Sequence, residues 1–453
     1  MEKMDSCSIF SLCGQENVYV NNKGVAFILF FCLLLFAGFA TIWGAGFHIH
    51  EQSAKAMGMG NAFVGLADDP SALLYNPAGI AFQKGTQISL GATAISVPNT
   101  KFRGSTKLGN NQASPALGVP LEHVKEKAKR DVFLPPNFYV VHSFENVPVS
   151  VGLSLNAIYS LSKRWESDGA FQDEVKDISI RAMNLQPTVA YRIDKYHLAF
   201  AAGIDYTYAT LRLKKSVYAD RYLLAGGYPG QAAEHLGDLE YDGDADGWGY
   251  NFGVLWKPLD CLSLGLTYRS RIVLKADGNA DFTRLFGPYA GFHGHGDVTI
   301  NLPDTWSFGV AYRPAKAWTL AFDVERYGWS SFKKLAADFD SRATIPDYYS
   351  EKDWEDSWAF RFGVQYDVSE RFSVRAGYAY DCTPTPERTL GPELPDADRS
   401  NYTVGFSYRQ GHVTFDMAYM LVVFQDRHVD NAIQTGTYES KAYLLGANLT
   451  YAF

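Results

Sequence analysis

The sequence predicts an all-β protein: a 14-stranded antiparallel transmembrane β-barrel plugged by its N-terminal segment. Three observations predict it. From Thr86 to Phe453 apolar residues recur with period two. The connections between the alternating segments are by turns short and long, as in barrels of the bacterial outer membrane. The composition joins 15% aromatic residues and 40 Gly to a mean hydropathy slightly below zero. That balance suits many strands and turns and is too polar for a bundle of membrane helices.

The elements follow in chain order. Val25 to Trp43 is almost continuously apolar, has Lys23 before it and breaks into Gly44-Ala45-Gly46. A charged start, an apolar run and small residues after it describe a secretory signal over 1–44, cut between Gly44 and Ala45, with an uncleaved anchor helix as the alternative and the 22 residues before Lys23 as a start called too early. Cys7, Cys13 and Cys32 fall in that leader, which leaves Cys261 and Cys382 in the mature chain with no zinc or redox spacing. The stretch 45–85 does not alternate. It is rich in Gly, Ala and Ser, yet Met57, Phe63, Leu73, Leu74 and Tyr75 are too apolar for a solvated tail. Fourteen strands enclose a lumen wider than their own side chains can fill, and this segment is the natural filling.

The barrel, 86–453, shows its dyad best at the end of the chain. Tyr443, Leu445, Ala447, Leu449 and Tyr451 take one face, and Leu444, Gly446, Asn448, Thr450 and Ala452 the other. Short turns are expected at Glu145–Pro148, Asp194–Tyr196, Pro258–Asp260, Pro314–Ala317, Asp367–Glu370 and Arg409–Gly411. Long polar connections are expected near 98–131, 160–177, 214–244, 278–295, 328–355, 381–398 and 421–438. These six turns and seven connections join 14 strands, an even number. Cys261 then follows a turn at one end and Cys382 opens a connection at the other. About 30 Å of bilayer separates them, and they cannot bridge. The terminal Tyr451-Ala452-Phe453 matches the aromatic signature by which outer-membrane barrels reach their assembly machinery.

Chemistry-bearing residues are sparse. Asp68-Asp69, His48 with His50, and His293 with His295 lack further ligands at metal spacing, so neither metal nor cofactor is expected. No Gly-x-Ser-x-Gly occurs, and an enzyme is not expected. A net charge of −8 argues against a nucleic-acid partner. Alternation turns Arg192, Asp205, Arg269, Asp323, Glu325, Arg361, Arg375, Arg409 and Asp416 inward. They read first as lumen ion pairs. Arg192, Arg269, Arg361 and Arg375 are also the candidates to hold a ligand carboxylate.

The segments Ala45-Gly46-Phe47, Gly58-Met59-Gly60-Asn61-Ala62, Ala67-Asp68-Asp69 and Asn76-Pro77-Ala78 resemble the hatch of FadL-type outer-membrane fatty-acid and hydrocarbon transporters. Asn184-Leu185-Gln186-Pro187-Thr188, Trp248-Gly249-Tyr250-Asn251, Leu302-Pro303-Asp304, Trp329-Ser330-Ser331-Phe332 and Leu394-Pro395-Asp396 with Arg399 are similar to that family too. The resemblance implies a monomeric barrel in outer-membrane lipid and lipopolysaccharide that takes up hydrophobic molecules passively. Outer loops would capture the substrate, a hatch gated at Asn76, Pro77 and Ala78 would pass it on, and a kinked third strand would release it sideways. Here the third strand, Val149 to Ile158, lacks the Pro and Gly that follow Asn156 in many relatives, and Gly152 is the residue left to weaken its pairing. Long-chain fatty acids are the expected cargo. A hydrocarbon carrier of the same fold is the alternative, and a general diffusion porin a more distant one.

Overall fold

The computed structural model describes residues 46–98, 100–108, 119–218, 235–283, 293–339 and 348–453. The expected leader over 1–44, its cleavage between Gly44 and Ala45, and Cys7, Cys13 and Cys32 lie outside the described residues.

Period-two segments form a closed antiparallel ring of 14 strands. The first six are β1 Gly85–Val97, β2 Pro136–Ser143, β3 Val149–Arg164, β4 Asp177–Ile193, β5 Leu198–Tyr218 and β6 His235–Leu259. The next four are each in two pieces. They are β7 (Leu262–Arg269, Ile272–Thr283), β8 (His293–Leu302, Thr305–Ala315), β9 (Trp318–Tyr327, Lys334–Phe339) and β10 (Tyr348–Glu351, Ser357–Asp367). The ring continues with β11 Phe372–Asp381, β12 Arg399–Gln410, β13 Val413–Phe424 and β14 Lys441–Ala452. It closes where β14 returns to β1, from Gln87 opposite Ala452 to Ser96 opposite Tyr443.

The outward face is the lipid face. Leu185, Val189, Phe200, Ile204, Phe252, Phe308 and Val404 stand exposed on it. Aromatic pairs mark its margins, Tyr206 with Trp248 at 4.7 Å toward the long connections and Trp318 with Tyr366 at 4.7 Å toward the short turns. Cys382 carries a free thiol that donates to the Trp358 carbonyl at 3.1 Å. The expected absence of a Cys261–Cys382 bridge therefore holds.

Two parts of the outer end differ from the sequence expectation. Much of the polar stretch 214–244 is strand, and β5 and β6 run 21 and 25 residues, about twice what crosses a bilayer. The alternation persists there, but the outward residues are charged: Arg212 pairs with Asp242 at 2.6 Å and Lys214 with Glu240. High polarity imitates a loop while the inward residues Leu211, Leu239, Leu274 and Ile300 stay apolar. Likewise 98–131 and 421–438 contain a separate four-stranded sheet of Lys101–Leu108, Val119–Lys127, Arg427–Asp430 and Gln434–Glu439. Its inner face, with Phe102 and Tyr438, packs on Trp165, Phe171 and Leu390 and ties these outer connections together.

Residues 46–83 lie inside the ring. They are hydrogen-bonded to β1, β2, β3, β4, β6, β9, β12 and β14, through Thr93, Tyr139, Ala157, Gln186, Val254, Asp323, Thr403 and Asn448. This segment is hereafter the hatch.

Candidate functional site

Asn76 is fully buried at a turn of the hatch. Its Oδ1 accepts from the Ala78 amide at 3.2 Å, capping the short 3-10 helix Pro77–Phe82, in which Pro77 fills the first position where no amide partner is needed. Its Nδ2 donates to Val64 O at 2.9 Å and to Val254 O of β6 at 3.0 Å. One amide thus joins two limbs of the hatch to the wall. The contact is close enough that a Cβ on Gly265 would lie 2.2 Å from Val64 O, and one on Gly253 2.6 Å from Asn76 Oδ1. Only glycine admits the hatch at this depth. Asp323 of β9 adds the firmest tie, its carboxylate accepting from the Phe63 and Val64 amides at 2.6 and 2.7 Å.

The wall is interrupted at β3. Gly152 is not the place: it pairs regularly with Val141 and Thr188, and its missing side chain makes room for Leu73. The break begins immediately after Asn156, where Ala157 and Ile158 together oppose Met183 alone. One extra residue in a strand exchanges its two faces. Before this bulge the even-numbered residues point inward; beyond it Tyr159, Leu161 and Lys163 do, opposite the buried Ala182, Ile180 and Ile178. Pairing with β2 also stops at Leu155. The free edge of β3 is taken by the hatch instead, with Ile49 N donating to Ile158 O at 2.8 Å and Ser160 N to Phe47 O at 3.3 Å. Gln52 holds both the N–H and the C=O of Ala157, at 3.1 and 3.0 Å.

Behind this break lies a cavity of about 160 Å³. Phe47, Ile95, Val97, Phe133, Leu161, Leu394, Val422 and Phe424 give it an apolar lining, and Lys163, Arg399, Asp396 and Glu51 add charge. Ser160 and Ser162, from the outward face of β3, border it together with the inward Leu161 and Lys163. A complete wall could not offer both faces to one space. Phe47, Leu161 and Leu394 also border a second, smaller cavity, which meets the apolar wall at Ile178, Ile180 and Leu335. A row of neighbouring cavities with shared apolar side chains therefore runs from the outer connections to the break in β3.

Charge along the row is uneven. Lys163 Nζ donates to Thr100 Oγ1 at 2.7 Å and forms no ion pair among the described residues. Arg399 is bound to Asp381 at 3.1 Å and lies over the Phe424 ring. Burial pushes the Asp396 carboxyl up, against the opposing pull of Arg399 and the hydrogen bond from Thr383. The four arginines expected from alternation are all engaged elsewhere. Arg192 sits at the short-turn end with Asp194 and Ala81 O; Arg269 holds Asp205 and Gln186. Arg361 joins Glu325 at 2.8 Å to Asp381 at 3.2 Å, and Arg375 is paired with Asp416 at 3.2 Å. Arg409, also expected in the lumen, is exposed at the end of β12. Lys163 falls in the stretch 160–177 expected as a polar connection, which is why sequence reasoning missed it; Arg399 stood in a recognised motif without a role.

A family model described as outer membrane protein transport protein (OMPP1/FadL/TodX) matches residues 34–453. The chain belongs to this family. Among curated FadL-type relatives, a long-chain fatty acid transport protein of Escherichia coli O6:H1 is 27% identical over 442 residues, covering 91% of this chain and 95% of that protein. Outer membrane protein P1 of Haemophilus influenzae is 24% identical over 468 residues, covering 93% and 97%. In fold, the chain matches the crystal structure of a Pseudomonas aeruginosa FadL homologue with TM-score 0.77 at 20% identity, over 90% of this chain and all of that one. It matches the toluene transporter TodX of Pseudomonas putida with TM-score 0.65 at 18% identity, over 91% and 99%. The protein is an outer-membrane β-barrel transporter of hydrophobic compounds, in a family of transporters and not of enzymes.

Proposed function

We propose that the protein takes up long-chain fatty acids or similar amphiphiles passively, as a monomer, and releases them sideways through the break in β3. The observation that carries this reading is the cavity behind the break, bordered by both faces of β3 and holding the amine of Lys163, which forms no direct ion pair among the described residues. An apolar chain loses its hydrophobic stabilisation in a water-filled channel, whereas an apolar track ending at the bilayer keeps it throughout. Lys163 then supplies a charge-assisted contact for the carboxylate. The Phe47–Ile49 limb stands in the exit, so the hatch must yield there, and the turn at Asn76, Pro77 and Ala78 holds the rest of it in place. In this reading the assembly machinery engages Phe453, and lipopolysaccharide surrounds the wall.

The test is uptake by cells lacking other carriers, comparing wild type with Lys163→Met for a long-chain fatty acid and for an alkane of equal length. Fatty-acid uptake is expected to fall while alkane uptake holds. Equal loss of both would remove the carboxylate reading and leave a hydrocarbon carrier.

A further inference from the structure

The small outer sheet carries a charge arrangement that its own stability does not explain. Phe102 and Tyr438 point to its inner face, so the neighbouring residues turn outward. On that outer face Lys101 stands directly opposite Lys127, and Arg103 directly opposite Lys125. Like charges in direct cross-strand opposition destabilise a sheet. All four are exposed, and His428 stands exposed on the same face. Among the described residues three carboxylates lie on or beside it: Glu439, 3.9 Å from Arg103, Asp430, which accepts from Thr435 at 2.8 Å, and Glu122, in the bulge opposite Ser105. The outer part of β5 and β6 is built the other way on its outward face, where Arg212 faces Asp242 and Lys214 faces Glu240. Cations are balanced where a strand ladder has only to be stable. In the outer sheet they are left in excess.

Position says what they meet. Lys101 follows the end of β1 at Val97 by four residues, which at extended reach is about 14 Å. The inner face of the sheet packs on connections that cover the barrel mouth, so the cationic face looks away from the mouth, beside the outer leaflet. We infer that Lys101, Arg103, Lys125 and Lys127 form a docking surface for the phosphate groups of outer-leaflet lipopolysaccharide. Charge complementarity selects this occupant, since phosphate-bearing glycolipid is the dense anion at that height, and bringing two cations opposite each other is favourable once a phosphate bridges them. The inference rests on outer-membrane placement and is independent of which hydrophobic compound is carried.

The test uses the full chain, purified in detergent and freed of lipopolysaccharide. It is titrated with lipopolysaccharide, with dephosphorylated lipopolysaccharide and with inorganic phosphate. The variant K101Q/R103Q/K125Q/K127Q is expected to keep heat-modifiable mobility and to bind lipopolysaccharide about tenfold or more weakly. Wild type should bind the dephosphorylated form equally weakly, and Arg212→Gln should change affinity less than twofold. The pair variant K101Q/K127Q gives the same reading, at partial loss, if the fourfold change disturbs folding. Unchanged lipopolysaccharide binding by a folded variant would overturn the inference. So would saturation of the patch by micromolar inorganic phosphate, or a loss of fatty-acid uptake with lipopolysaccharide binding intact.

Discussion

The barrel has two seams of opposite character. Where β14 meets β1, ten residue pairs follow one another without interruption. Where β2 meets β3, six pairs form and the strands then part, and the hatch takes the vacated edge of β3. Both satisfy the backbone groups of a strand that crosses a membrane, as hydrocarbon surroundings demand. The first does so with wall, permanently. The second uses a segment that lies inside the ring, the one that the proposed sideways release requires to move.

The strongest way to break this contrast is to make the second seam resemble the first. Deleting Ala157 removes the extra residue while leaving Tyr159, Leu161 and Lys163 facing inward, because their pairing with β4 is unchanged. Uptake is expected to fall to the background of carrier-less cells, with normal outer-membrane levels and heat-modifiable mobility; full uptake would place the exit elsewhere. Next in size is Lys163→Met. A charge-assisted hydrogen bond contributes about 1.5–3 kcal/mol, so fatty-acid affinity measured by ligand titration should weaken roughly tenfold to a hundredfold.

Asn76→Ala acts on the hatch as a whole. It removes a cap and two donated hydrogen bonds and leaves Val64 O and Val254 O to find other partners, at a cost of about 1–3 kcal/mol. The barrel ladders do not depend on it. Uptake should drop severalfold while mobility on gels stays wild type, and a barrel that failed to assemble would make the turn a folding element. The smallest effect is expected at the sound seam. Leu445→Ala trims a lipid-facing side chain of β14, and uptake should stay within about twofold of wild type, since packing against fluid lipid is not specific.

Most of the architecture was legible because a barrel repeats one rule, and Tyr443 to Phe453 or Trp306 to Tyr312 state that rule plainly. The hatch was legible from its failure to alternate. What escaped notice did so for two physical reasons. Charged outward residues such as Arg212 and Asp242 carry strands beyond the bilayer, where polarity ceases to distinguish loop from sheet. And the bulge at Ala157–Ile158 has no Gly or Pro to announce it, while β3 runs on to Arg164, so Lys163 was expected in a connection and not on an inward strand face. Arg269, Arg361 and Arg375 do face the lumen and Arg409 lies beyond it, but alternation does not reveal partners, and Glu325, Asp381 and Asp416 had already engaged two of them.

The unequal lengths of the strands give the mouth a slope. From Trp248 at the aromatic margin, β6 climbs ten more residues to Asp238; at about 3.4 Å each and a tilt near 40°, its rim stands about 25 Å above the bilayer. On the far side β14 begins at Lys441, two residues beyond Tyr443, and what stands above it is the small outer sheet and not the ring itself. The tall side turns an apolar inner surface of Leu211, Leu239, Tyr241 and Ile300 toward the low side. These side chains are buried, so the height of β6 serves to enclose apolar packing above the bilayer and to keep it from the medium.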